Sequence, residues 1–270
     1  MVKKCKLILD FRDGLTYEPL AKTNFVSRFI NERIERRGIK HADLVISVSD
    51  AITEDFKNKY PTTKTKYITI TNGYLDEGSE NKCESSPLEP YIDDSKINIV
   101  FSGNIGLSRK SIFLSLQTFS YAMKLLTQKE RDSLNISFIG KFLPREKLLI
   151  SSFGITYPPV SRVNIRKIQA NSDYLLLLTG PDRSVVTMKL FDYLAARRPI
   201  LAIGNAPTPK RILEETNAGC QFSMDQQDDI ARMILSFTKT KILSDEPIQK
   251  YRLDFLMDTF TQRILEITNG

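Results

Sequence analysis

Two clusters in this 270-residue chain combine residue types suited to holding a phosphorylated ligand. The first is Gly103, Asn104, Ile105 and Gly106, followed by Arg109 and Lys110, directly after the apolar run KINIVFS. A glycine-rich turn between a strand and a helix exposes backbone N–H groups at the positive end of that helix, and a nearby lysine adds a full charge. The pattern is neither GxGxxG nor GxxxxGK[ST], so a purely structural turn explains it equally well. The second cluster is Lys189 and Asp192 in TMKLFDYLAARR, three positions apart and therefore on one face of a helix. A carboxylate facing a nucleotide can accept hydrogen bonds from two ribose hydroxyls. The competing reading is a solvated Asp192 paired with Lys189 one turn earlier. No metal site or disulfide framework is expected: His41 is the single histidine, and Cys5, Cys83 and Cys220 are far apart without CxxC spacing.

The element that must position Lys189 and Asp192 is the stretch LLLLTGPDRSVVTMKLFDYLAARRPILAIG, residues 175–204. Fully buried parallel strands are continuous apolar runs, so this stretch reads as strand, loop, helix and strand. In open α/β sheets ligands sit beyond the carboxyl ends of the strands, which places residues 180–184 and the first turns of the helix at the site. Met188, Phe191 and Ala195 are expected to pack inward.

The rest of the chain alternates in the same way. KLILD, DLVISVS and KYITIT read as strands, with Ser49 or Asp50 capping the helix AITEDFKNKY. Between the first two of these strands, Phe25, Val26, Phe29, Ile30 and Ile34 recur at helical spacing with Arg28, Arg33, Arg36 and Arg37 among them. That helix either packs on a sheet or faces a membrane. Residues 77–95 are polar, contain Pro87 and Pro90, and read as a linker. Beyond it NISFIG, GITYPPV and CQFSM are strands, with helices at about 145–151, 162–170 and 227–237 and one or two more across 248–267. A further helix is expected to start with Thr208 as cap and Pro209 at its first position, closing at Gly219. The fold class is therefore α/β, with a doubly wound parallel sheet in each of two Rossmann-like domains. Residues 1–95 form an incomplete amino-terminal domain plus linker, 96–245 the carboxyl-terminal domain and 246–270 closing helices.

Composition is that of an ordinary globular protein, 41% hydrophobic and 26% charged. No apolar run approaches bilayer-spanning length, and MVKKCKLILDFRD breaks into charge too early for a secretory signal, so a cytoplasmic address is expected. The net charge of +7 belongs to the residues after 95 and suits phosphate-bearing ligands or an anionic membrane face. Nucleic acid is not expected as a partner, since there are no Lys/Arg-rich blocks, no aromatic RNA-binding signature and no zinc finger.

In order, the segments DFRD, HADLVISVS, YITITNGY, IVFSGNIG, ISFIG, DYLLLLTG, MKLFDYLAARRPILAI and ETNAG resemble the family 4 glycosyltransferases of GT-B architecture. The similarity is greatest to those that build bacterial surface polysaccharides, and it runs from residue 7 to about residue 237. It implies a carboxyl-terminal domain that binds a nucleotide sugar, and transfer to a cell-surface polysaccharide or lipid-linked acceptor with retained configuration. No cofactor and no obligatory metal are implied, and a lipid-linked acceptor implies peripheral contact with the inner face of the cell membrane.

By position, Asp192 matches the acid that holds the ribose, Lys110 the lysine on the diphosphate, and Gly103 the start of the loop. Lys110 and Asp192 are then the catalytic pair; Gly103, Asn104, Ile105, Gly106, Arg109, Ser184 and Lys189 complete the donor site. The chain departs from the family in three ways. Ser184 stands where the family has a glutamate eight positions before Asp192. Asn104 stands where a basic residue is usual, leaving Lys110, with Arg109 or Arg145, to neutralise phosphate. Only three strands precede the linker, where a Rossmann half has about six. The last departure raises a second reading, a chain inactive alone: a donor-binding or partner-binding subunit whose amino-terminal domain a partner chain completes, or the remnant of a split or truncated glycosyltransferase. A third, epimerisation of the nucleotide sugar, lacks an acid/base pair.

Overall fold

The apolar runs become strands of two parallel sheets in the computed structural model, which describes residues 5–12, 25–76, 88–105, 112–181, 186–239 and 242–268. The chain divides into two units, Met1–Gly73 with Tyr251–Gly270, and Tyr74–Lys250. The division falls before the polar stretch that the sequence marks as linker, and the closing helix returns to the first unit rather than standing alone.

In the first unit β1 (Ile8–Phe11), α1 (Phe25–His41), β2 (Leu44–Ser47), α2 (Asp50–Lys59) and β3 (Lys66–Thr69) follow one another, and the strands pair in parallel in the order β1-β2-β3. β2 is buried at every residue, as a bare LVIS run requires when both sheet faces are covered. Its faces serve different partners. Val45 packs with Phe11, Ile39, Ile52 and Phe56, while Leu44 and Ile46 pack with Ile70 and Ile267. Ser49 caps α2, its side chain accepting a hydrogen bond from Ile52 N–H. Glu35 of α1 is buried but satisfied: its carboxylate accepts from Tyr60 Oη at 2.8 Å and from Lys59 Nζ at 2.7 Å.

The second unit runs through β4 (Ile97–Ser102), α3 (Ile112–Leu125), α4 (Gln128–Asp132), β5 (Leu134–Ile139), α5 (Pro144–Ile150), β6 (Ile155–Tyr157) and α6 (Arg162–Asn171). It continues through β7 (Tyr174–Gly180), α7 (Met188–Ala196), β8 (Ile200–Gly204), α8 (Pro207–Thr216), β9 (Gly219–Phe222) and α9 (Gln227–Leu235). All pairs are parallel and the order is β6-β5-β4-β7-β8-β9, a doubly wound sheet whose strand order reverses between β4 and β7. One face of β4 and β7 meets α3 and α9 in a core that includes Phe101, Leu116, Phe119, Leu176, Leu178 and Ile234. After Lys250, α10 (Leu253–Thr268) supplies Ile267 to the first unit.

Two local expectations are corrected. α8 starts two residues earlier than expected, with Ala206 as its cap, Pro207 at its first position, and Thr208 and Pro209 buried within its first turn. Either proline satisfies a first turn, where no N–H partner exists, so composition does not choose between them. The same helix ends on Asn217 in the left-handed conformation, φ 49°, two residues before Gly219, because asparagine tolerates that region without glycine's entropic cost.

Burial separates two phenylalanines of the first unit. Phe56 is fully buried with its ring centroid 4.8 Å from that of Phe11, whereas Phe25 is 85% exposed. Phe56→Ala should cost about 3–5 kcal/mol in urea unfolding and Phe25→Ala less than about 0.5 kcal/mol; equal effects would contradict this core.

Candidate functional site at the carboxyl ends of strands β4 and β7

Three side chains of α7 decide the site, and each takes a different direction. Thr187 caps the helix by accepting from Lys189 N–H, which fixes the first turn against the end of the sheet. The inward face is Leu190, Phe191, Tyr193 and Leu194. Of the residues expected to pack inward only Phe191 does so: Met188 is 52% exposed and Ala195 is exposed, because they share the outward face with Asp192.

The rotation of α7 is locked from below. Tyr193 is fully buried and its hydroxyl oxygen accepts from Ser102 N–H at 3.0 Å, at the last residue of β4. Gln169 of α6 donates through Nε2 to Ser102 Oγ at 2.9 Å, so one serine gathers α6 and α7 onto the strand. Burial pushes the Tyr193 phenol up to about 12, and it stays a neutral hydrogen-bonding group at any physiological pH.

Lys189 points over the strand ends. Its ammonium donates to Asn104 O at 3.0 Å and lies 4.4 Å from the centroid of the Phe101 ring. Burial lowers its pKa to about 8. Gly103 is required here: its φ is 108°, and a Cβ would come within 2.6 Å of Lys189 Cε. The adjoining loop closes just as tightly, since a Cβ on Gly140 would lie 2.1 Å from Gly103 O. Asn104 completes the arrangement by accepting from Lys141 N–H through Oδ1 at 3.1 Å. The turn after β4 is thus held by backbone, by a neighbouring loop and by a half-buried cation at once.

Asp192 faces a different space, a cavity of about 290 Å³ between α6 and α7 whose lining includes Arg166, Gln169, Ala170, Ala196 and Tyr74. Among the described residues the lining holds Asp192 but not Lys189, so the two charges serve different neighbours rather than one another. Asp192 is half-buried; burial raises its pKa, and the Arg162 and Arg166 guanidinia oppose that rise. A carboxylate set among small apolar side chains, with cations beside it, can accept hydrogen bonds from a polyhydroxylated ligand.

Of the residues singled out in the sequence, Gly103, Asn104, Ile105, Lys189 and Asp192 are placed. Gly106, Arg109, Lys110 and Ser184 lie outside the described residues. Arg145 stacks on Phe113, its guanidinium carbon 4.7 Å from the ring centroid. Sequence reasoning missed Arg162, Arg166 and Gln169. The signal was present, since Arg162 and Arg166 stand four apart in RVNIRKIQ and so share one face of α6.

No protein-family model and no curated protein matches the chain. Solved structures do match. WaaG, a glycosyltransferase involved in lipopolysaccharide biosynthesis, superposes with a TM-score of 0.64 at 18% identity, over 97% of this chain and 75% of that one. A mutant of TarM from S. aureus, solved with fondaparinux, alpha-GlcNAc-glycerol and UDP, gives 0.62 at 13% identity over 99% and 52%. A UDP-forming alpha,alpha-trehalose-phosphate synthase from Burkholderia vietnamiensis gives 0.65 at 11% identity over 90% and 63%. The chain therefore has the Rossmann-like α/β fold of GT-B glycosyltransferases, and it spans about three quarters of the first of these structures and about half of the second.

The enclosed lysine has a measurable consequence. Its folded pKa of about 8 lies below the ordinary 10.5, so between these values the unfolded chain binds more protons and stability rises with pH. Against Lys189→Met, the native chain should gain about 1 kcal/mol per pH unit from about pH 8 to about pH 10 in urea unfolding; parallel pH profiles would show that the amine is not enclosed.

Proposed function

We propose that the second unit binds a nucleoside diphosphate sugar and that the chain transfers the sugar, with retained configuration, to a cell-surface glycan or lipid-linked acceptor. One observation carries this reading: the Asp192 carboxylate faces a cavity on the helix that leaves β7, one of the two strands between which the sheet order reverses. There it accepts hydrogen bonds from the ribose hydroxyls. The diphosphate lies at the turn after β4, where the backbone N–H groups from Asn104 onward and Lys110 stabilise charge growing on the leaving group. No histidine is needed, because the departing diphosphate itself takes the acceptor's proton. The fold shared with glycosyltransferases of lipopolysaccharide and TarM type supports the reading.

A second reading is favoured by a specific feature: the described first unit holds three parallel strands, against six in the second. In it the chain binds donor but does not transfer the sugar alone.

Calorimetric titration with UDP-, GDP- and TDP-sugars, paired with a turnover assay on lipid-linked acceptor, separates these readings. Binding with turnover supports the enzyme, binding without turnover the subunit, and no binding contradicts both. Asp192→Ala should weaken donor binding by about 1–3 kcal/mol, and an unchanged affinity would remove Asp192 from the site. Turnover should persist in a divalent-ion chelator; its loss would place a metal on the diphosphate.

A further inference from the structure

We propose that the cavity at the amino ends of the first unit's strands is a binding site for a small soluble anion carrying two or more phosphoryl groups. The inference concerns the first unit alone and is independent of what the second unit binds.

Open α/β sheets meet their ligands at the carboxyl ends of the strands, so a cavity at the opposite edge serves a different use. This one has a volume of about 350 Å³ and is lined by Lys6, Lys40, Lys64 and Lys66, with Asp43 and Glu266 as its acids. Lys6 precedes β1, Lys40 is in the last turn of α1, Asp43 precedes β2, and Lys64 and Lys66 lie at the start of β3. Hydrogen bonds fix these lysines through their neighbours in sequence. Leu7 N–H donates to the Asp43 carboxylate at 2.9 Å and Asp43 N–H to Leu7 O at 2.8 Å, which ties the entry of β1 to the entry of β2. Thr65 is buried and its hydroxyl donates to Ile39 O at 2.6 Å, holding the start of β3 to the end of α1. Lys66 N–H donates to Asp43 O at 3.2 Å. Backbone geometry thereby delivers cations from three separate segments to one place.

Charge then selects the ligand. Both acids are already engaged: Asp43 accepts from Leu7 N–H and pairs with Lys6 at 3.7 Å, and Glu266 pairs with Arg263 at 2.9 Å. Among the described residues no ion pair engages Lys40, Lys64 or Lys66. A cation is favoured at the end of a helix, which accounts for Lys40 but not for Lys64 and Lys66. A single surface lysine is solvated and needs no account. Cations converging on one concavity repel one another and focus a field that concentrates anions there. One phosphoryl group can meet part of this charge, and a short chain of them can meet all three uncommitted lysines. The lining cations are lysines throughout, compact point charges that bind phosphoryl oxygens without demanding one fixed orientation.

The test uses the full chain and inorganic triphosphate, with orthophosphate and citrate for comparison. Acetylation at Lys40, Lys64 and Lys66, read residue by residue by mass spectrometry, should slow at least about threefold in saturating triphosphate, and acetylation of the exposed Lys57 on α2 should not change. Calorimetry should show triphosphate binding at least about tenfold tighter than orthophosphate or citrate, and weakening with added salt. Lys64→Gln with Lys66→Gln should weaken triphosphate binding at least about tenfold without moving the melting temperature of the anion-free chain, since both side chains are exposed. The turn after β4 is itself proposed to hold a diphosphate, and the paired variant separates the two sites: triphosphate binding that it leaves unchanged lies in the second unit and overturns the proposal. Acetylation unaltered by triphosphate overturns it, as does equal protection by citrate. Protection by phosphatidylglycerol vesicles and not by triphosphate assigns the lysines to a lipid headgroup and overturns a soluble ligand.

Discussion

The candidate site depends on the way α7 is bolted to the end of β4. Tyr193 takes the N–H of Ser102 from beneath the helix, and Lys189 takes the carbonyl of Asn104 from its first turn. Two bonds from successive turns of α7, to Ser102 at the end of β4 and to Asn104 two residues on, leave the helix a single rotation. Asp192, lying between them in sequence, is thereby turned away from the strand ends and into the cavity. Its direction follows from its neighbours rather than from a contact of its own.

This arrangement has a cost. A lysine ammonium enclosed beside a phenylalanine ring, and a glycine held at positive φ to make room for it, are both unfavourable taken singly. They are tolerated because Gly140 brings the next loop to the backbone of Gly103 and Lys141 N–H engages the Asn104 side chain. A turn fixed from three sides presents its backbone amides without reorganisation, which is what stabilisation of developing negative charge requires. The first unit shows the contrary condition: α1 is held through Glu35 and Ile39 near its carboxyl end, while Phe25, Val26, Phe29 and Ile30 are exposed.

Much of the fold was legible because the relevant signals are local. β2, β7 and β8 are unbroken apolar runs, and a strand buried on both faces has no alternative appearance. Strand–helix alternation then fixed parallel pairing. The inward face of α7 was not legible. In MKLFDYLAA the apolar residues surround the helix, so periodicity leaves its rotation open, and the choice falls to a hydrogen bond from Ser102, ninety-one positions away. Gln169 and the α6 arginines were missed for the same reason, since they reach the site from another helix. The cap of α8 was misplaced because Pro207 and Pro209 satisfy the same rule. Asp192 and the turn at Gly103 were found from residue type and resemblance together, while Lys110 and Ser184 fall outside the described residues.

A crystal structure of the chain with whichever of UDP, GDP or TDP binds it tests the central claim most directly. The account predicts ribose hydroxyls within about 3 Å of the Asp192 carboxylate and the diphosphate at the turn that begins with Gly103. A nucleotide bound elsewhere on the second unit, or one whose ribose leaves Asp192 without a contact, would contradict it.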